Sequence, residues 1–235
     1  TNHGPTKVLW EYADSADLGY TFGQAQIARL ASGHWVAIFG NGYNSTNDRA
    51  YLYVVNLADG SLLRKIPAGT ATSNGLSAPS LIDVDNDKII DYAYAGDLQG
   101  NLWKFDLRGV ASTSWGVGNG GSALFTARNT SNQVQPITVK PALSIPTGSP
   151  NGGVMVLFGT GQYLTSTDPA NTQVQTFYGI WDNNTTGTVT RSSLQQQTIN
   201  AEQQQQVAMA KIEIERLSAI ANFSETGKIA TAEVA

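Results

Sequence analysis

Apolar residues gather in three long runs, and each run is followed by a second, aromatic-rich one. The first pair is WVAIFGNG (Trp35–Gly42) and AYLYVVNL (Ala50–Leu57). The second is DYAYAGDLQG (Asp91–Gly100) and NLWKFDL (Asn101–Leu107). The third is VMVLFGTG (Val154–Gly161) and QTFYGIWD (Gln175–Asp182). The first member of each pair closes on a glycine-containing turn, at Gly40, Gly96 and Gly159. Near-continuous hydrophobicity over so short a run is the signature of a strand buried on both faces. Shorter strand candidates lie upstream of each pair: QIARL (Gln26–Leu30), APSLIDV (Ala78–Val84) and KPALSI (Lys140–Ile145). SLLRKI (Ser61–Ile66) and ALFTAR (Ala123–Arg128) follow the first two.

About four strands per unit, repeated, is the layout of propeller blades. The expected fold is therefore all-β, an incomplete β-propeller with about three blades present. Closure needs roughly four to eight blades, so the chain reads as about half of a larger propeller. A two-sheet sandwich is the alternative. KVLWEYA (Lys7–Ala13) reads as an outer strand left from a preceding blade.

The pattern changes near residue 195. Val207, Ala210, Ile214, Leu217 and Ala221 recur at helical spacing, and Asn200 with Gln203 resembles a capping box. The expected organisation is a partial propeller over 1–195 and a helical or partly disordered, Gln-rich tail over 196–235.

Composition narrows the function. The net charge is −4 and only 14% of residues are charged, which argues against a nucleic-acid binder. There is no cysteine, which excludes disulfides, thiolate metal sites and a cysteine nucleophile. No apolar run approaches the roughly 18 residues of a membrane span. TNHGPTK lacks a signal-peptide layout; the expectation is a cytosolic protein or an internal piece of an exported one, and the incomplete repeat favours the piece.

Against this low charge density, DVDNDKIID (Asp83–Asp91) holds four of the eighteen acidic residues. Crowded carboxylates repel and raise one another's pKa unless solvent or a cation intervenes. Asp83, Asp85, Asp87, Ile89 and Asp91 fall on positions 1, 3, 5, 7 and 9 of a calcium loop, with Ile89 offering its backbone carbonyl. Position 6, ordinarily Gly for the sharp turn, is Lys88, and position 12, the bidentate Glu of an EF-hand, is Tyr94. The expected site is a nine-residue Ca2+ loop between strands, a structural clip or switch; the alternative is a solvated acidic turn.

Other motifs carry less. GVGNGG (Gly116–Gly121) fits a dinucleotide-binding pattern but reads as loop then strand, without the helix that pattern needs. His34, in the turn SGHW, reads as a surface residue. There is no P-loop, G-x-S-x-G, H-E-x-x-H or Arg-Gly-Asp, and no enzymatic activity is expected. Ala58-Asp59-Gly60 reads as a hairpin turn. Its surroundings, NLADGSLLRKI, are similar to the repeat of quinone-cofactor (PQQ-type) dehydrogenase propellers, which supplies the enzyme alternative. Trp35, Trp103, Phe177 and Trp181 are expected mainly to pack blades, and Tyr43 and Tyr163 to be exposed for recognition.

APSLIDVDNDKIIDYAYAGDLQGNLWKFDL (Ala78–Leu107) strongly resembles the C-terminal propeller of the PilC/PilY family of type IV pilus tip-associated adhesins. Leu9–Leu30, His34–Ser45 and Val156–Asp182 are similar to the same family, while the segment after about Leu194 does not look like its strands. The resemblance implies a modified seven-bladed propeller at the pilus tip or outer-membrane surface. It implies Ca2+ in the acidic loop, held by Asp83, Asp85, Asp87, the Ile89 carbonyl and Asp91. It further implies control of pilus extension and retraction, twitching motility, surface attachment and virulence. Partners would be pilin subunits or the pilus machinery, with a host or abiotic surface as ligand. A generic cell-surface binding propeller is the third reading.

Overall fold

The computed structural model describes residues 9–146, 153–185 and 187–197. These residues form three antiparallel sheets that follow one another along the chain and do not close into a ring. The first is a meander of β1 (Gln26–Arg29), β2 (Trp35–Gly40), β3 (Tyr51–Asn56) and β4 (Leu62–Pro67). The second holds β5 (Ser80–Ile82), β6 (Tyr92–Gly96), β7 (Asn101–Asp106), β8 (Gly116–Val117) and β9 (Phe125–Thr126), the last two both pairing with β7. The third holds β10 (Ala142–Ser144), β11 (Val154–Gly159) and β12 (Phe177–Asp182). These are the three blades expected from the repeat. The helix expected within 200–223 lies outside the described residues.

The apolar runs became the middle strands because these are covered on both faces. All five residues of β6 are buried, as are the four central residues of β3 and of β7. Leu30, Ile38, Leu52, Val54, Leu76, Ala93, Trp103 and Phe105 make one core between the first two sheets. Fully burying a side chain of this size contributes about 1.5–3 kcal/mol. Between the second and third sheets, Phe125, Phe158 and Tyr178 pack ring against ring, with centroids 4.8–6.1 Å apart. In the third sheet burial alternates residue by residue along β11; one face meets the second sheet, and the described residues place no fourth sheet on the other.

The blades are joined through backbone. Leu76 bridges to Gly42 on one side and to Asp97 on the other, and Ile137 bridges to Gly161. Each bridge joins the segment entering a sheet to the end of a second strand, and the Ile137 N–H also donates to the Asp97 carbonyl at 2.9 Å, tying the third sheet to the second.

The leading segment differs from expectation. Leu9–Ala13 is in no strand, yet its exposure alternates as a strand's would. It lies as a strap on the first sheet, Trp10 donating its indole N–H to the Leu57 carbonyl at 2.9 Å and Tyr12 packing edge-on against Phe39 and Tyr53. Apolar alternation reported the burial of one face correctly; it carried no information on whether the backbone found a partner.

Candidate metal centre

The loop Asp83–Asp91 connects β5 to β6, and its neck is closed by the Asp91 N–H donating to the Ile82 carbonyl at 3.0 Å. Inside the neck the chain winds tightly. Asn86 and Lys88 both take left-handed backbone, with φ 63° and 72°. Position 6 therefore adopts the conformation that glycine usually supplies, and Lys88 bears the steric cost of its Cβ, about 1–2 kcal/mol.

This winding turns amides inward onto carboxylates. Asp83 accepts from the N–H of Lys88 at 2.8 Å and of Asp87 at 3.2 Å. Asp85 also accepts from the Asp87 N–H, at 3.2 Å, and Asp91 accepts from the Val84 N–H at 2.7 Å. As a result Asp83, Asp85 and Asp91 each present a carboxylate oxygen within 4.8 Å of the others. Asp87 is not in that group; its carboxylate accepts the Ile89 N–H at 2.7 Å in a local turn. Ile89 is half-buried, and its carbonyl accepts no backbone hydrogen bond among the described residues.

The charges are unevenly solvated. Burial raises the Asp91 carboxyl above its ordinary range, and the nearby charges of Asp85, Asp83 and Asp87 push it the same way against the Val84 N–H. For Asp83 burial also acts upward, but the amides of Lys88, Asn86 and Asp87 outweigh it and hold the group low. Among the described residues no Lys or Arg forms an ion pair with any of the four carboxylates. The Lys88 ammonium instead donates to the Asn86 side-chain carbonyl at 2.6 Å. An all-oxygen donor set, converging and without a protein counter-cation, suits a hard divalent ion. Oxygens bound to one Ca2+ at about 2.3–2.6 Å stand no more than about 5 Å from each other, and this cluster meets that limit.

Other sequence candidates separate cleanly. Tyr163 is 80% exposed, as expected, but Tyr43 is 8% exposed, its hydroxyl donating to the Thr138 carbonyl at 3.3 Å. Tyr43 follows a glycine turn that carries it into a joint between blades, not out to solvent. Trp35 and Phe177, expected to pack blades, are 57% and 72% exposed; both sit at strand ends. His34 is exposed, and Asp59 closes the hairpin between β3 and β4 by accepting from Ser61. GVGNGG forms β8 and a single 3-10 turn.

One cluster carried a signal that sequence reasoning passed over. Lys104 is a lone charge inside the apolar run NLWKFDL, and it is buried against Asp182 of the third sheet, Nζ to Oδ2 2.7 Å. Tyr94 donates its hydroxyl to the same Asp182 oxygen at 2.7 Å. A buried charge in a strand core needs a partner, and Asp182, at the end of the aromatic run QTFYGIWD, was the available one.

The sequence profile of the PilY1 beta-propeller domain matches residues 10–215. The match thus runs past Leu194 into the Gln-rich segment. A type IV pilus biogenesis factor PilY1 homolog of Xylella fastidiosa is 42% identical over 214 residues, 83% of this chain and 14% of that protein. Type IV pilus biogenesis factor PilY1 of Pseudomonas aeruginosa strain PAK is 39% identical over 230 residues, 85% of this chain and 20% of that protein. The chain thus spans a fifth or less of the curated relatives it matches. The crystal structure of the Pseudomonas aeruginosa PilY1 C-terminal domain superposes with a TM-score of 0.73 at 38% identity, covering 80% of this chain and 44% of that one. With an unclosed set of blade-like sheets and a profile match over most of its length, the chain belongs to the PilY1 β-propeller domain family.

Proposed function

We propose that this chain is the calcium-binding propeller portion of a type IV pilus biogenesis factor and adhesin, acting at the pilus tip or outer-membrane surface. The observation that carries the reading is the convergence of Asp83, Asp85 and Asp91 oxygens in a loop without a counter-cation. The names of the relatives, type IV pilus biogenesis factors, supply the pilus context. Asp83, Asp85 and Asp91 would hold Ca2+, with the Ile89 carbonyl and Asp87 completing the shell. The ion supplies charge neutralisation and fixes the loop; it is a clip, not a catalyst.

The chain's own residues transmit the effect. The Ile90 N–H, within the loop, donates to the Arg29 carbonyl of the first sheet at 3.0 Å, and the Leu107 N–H donates to the Asp91 carbonyl at 2.9 Å. Ordering the loop therefore orders a joint between two blades. Because Ca2+ binds the ordered loop better than the open one, it shifts the population toward the ordered joint. Contact with pilin subunits or the pilus machinery would follow that population, and with it the balance of extension and retraction, twitching and surface attachment.

Calorimetric titration of Ca2+ into the metal-free chain tests this. One saturable site is expected, lost in Asp91→Ala and weakened at least about tenfold in Asp87→Ala. Unchanged affinity in Asp91→Ala would overturn the site.

A further inference from the structure

A second site lies at the joint of the second and third sheets. A cavity of about 360 Å³ opens there, lined by Tyr92, Lys104, Asp106, Arg108, Asp182 and Asn184 among others. That size falls in the range of small-molecule pockets, about 300–1,000 Å³. Its floor is built. Lys104 and Asp182 have side chains only 8% and 2% exposed and are paired. Lys104 also donates to the Asn184 side-chain carbonyl at 2.8 Å. One wall is fixed by Asn119, whose side chain exchanges hydrogen bonds with the backbone of Gly187.

A structural staple explains the floor, while the rim is open to solvent, the Arg108 side chain being 54% exposed and Asn184 and Thr185 exposed. Arg108 spends Nε and Nη2 on Asp106, at 3.0 and 2.6 Å, and its Nη1 has no acceptor among the described residues. The Asn184 side-chain nitrogen likewise donates to none of them, its backbone N–H going to Asp182. Thr185, which gives its hydroxyl proton to Asn183, keeps its lone pairs as acceptors. Arg108, Asn184 and Thr185, all lining the cavity, thus keep hydrogen-bonding capacity that no described residue uses.

Charge decides the ligand class. The two cations, Lys104 and Arg108, are each already paired with an anion, Asp182 and Asp106. The lining is electrically balanced, so an anionic or cationic ligand would face as much repulsion as attraction. A hydroxyl is donor and acceptor at once and suits such a rim. The Tyr92 ring is occupied by the Lys104 ammonium and the Arg108 guanidinium, 4.1 and 4.8 Å from its centroid, so recognition here works by hydrogen bonds rather than by stacking on the ring. We propose that this cavity binds a neutral sugar residue through Arg108, Asn184 and Thr185. The site adjoins the acidic loop through Tyr92 but shares no lining residue with it, and does not depend on the calcium reading.

The test is a 15N-shift titration of the full chain, with chelator present, using the methyl glycosides of glucose, galactose, mannose and N-acetylglucosamine at millimolar concentration. The expected result is a saturable shift of the Gly118, Asn184 and Thr185 amides with at least one glycoside. Arg108→Ala and Thr185→Val should each weaken it about tenfold with unchanged melting temperature. No shift with any of the four glycosides would overturn the proposal. So would binding that survives both substitutions, or inorganic phosphate shifting the same amides in their place.

Discussion

Lys88 shows how much a single residue carries in the acidic loop. Its φ of 72° is a glycine conformation, and its positive charge sits among carboxylates without pairing with one. Lys88→Gly should stabilise the metal-free chain by about 0.5–1 kcal/mol, the relief of left-handed strain less the added freedom of the unfolded chain. The same change should tighten calcium binding about threefold or more, because it removes a like charge from beside the ion. Denaturant melts and titration read both; a destabilised Lys88→Gly would show that the turn is not strained. At this scale much was legible. Alternating aspartates announce a convergent site because each side chain must turn in on a wound backbone. The inward turn of Asp87 onto the Ile89 amide was not legible, since spacing fixes position but not which hydrogen bond a side chain prefers.

At the scale of elements, the three repeat glycines tell which strands have a neighbour. A Cβ on Gly40 would stand 2.2 Å from the Ser77 carbonyl oxygen, and one on Gly96 would stand 2.2 Å from Ile137 Cγ2 and 2.8 Å from its carbonyl oxygen. Each glycine is the notch into which the next blade's entering backbone fits. At Gly159 the nearest atom is a Phe177 ring carbon at 3.9 Å. Gly40→Ala and Gly96→Ala should therefore each destabilise by about 2–4 kcal/mol, while Gly159→Ala changes stability by less than about 0.5 kcal/mol. Equal losses at all three, measured by urea unfolding, would sink this account. The strands themselves were readable because apolar runs with two buried faces have few other uses. The strap at Leu9–Ala13 was misread because burial on a sheet and pairing with its edge leave the same apolar trace.

On the scale of the whole molecule, the strap is held by rings and, at Asp14 immediately after it, by charge. Burial by itself would raise the Asp14 carboxyl; the Lys65 ammonium at 3.0 Å, the Tyr53 hydroxyl at 2.9 Å and the amides of Asp17 and Ala16 outweigh it and hold it at about 2. Its folded value lies below its ordinary 3.8, so the stabilisation is complete above about pH 4 and is lost as pH falls through about 2. Wild type should lose on the order of 1 kcal/mol more than Asp14→Asn between those pH values, the pair being partly exposed. Parallel denaturation curves at the two pH values would check it, and identical losses would remove Asp14 from the clamp.

The backbone bridges at Gly42, Leu76, Asp97, Ile137 and Gly161 gather at one rim. The acidic loop and the Lys104–Asp182 pair lie toward the opposite ends of the same strands. Such a molecule has the mechanics of a hand fan, riveted by backbone on one side and held on the other by the Ile90–Arg29 hydrogen bond and the Lys104–Asp182 pair. An ion held by the Asp83–Asp91 loop, as proposed, would then act as a catch that limits how far this second side opens under load.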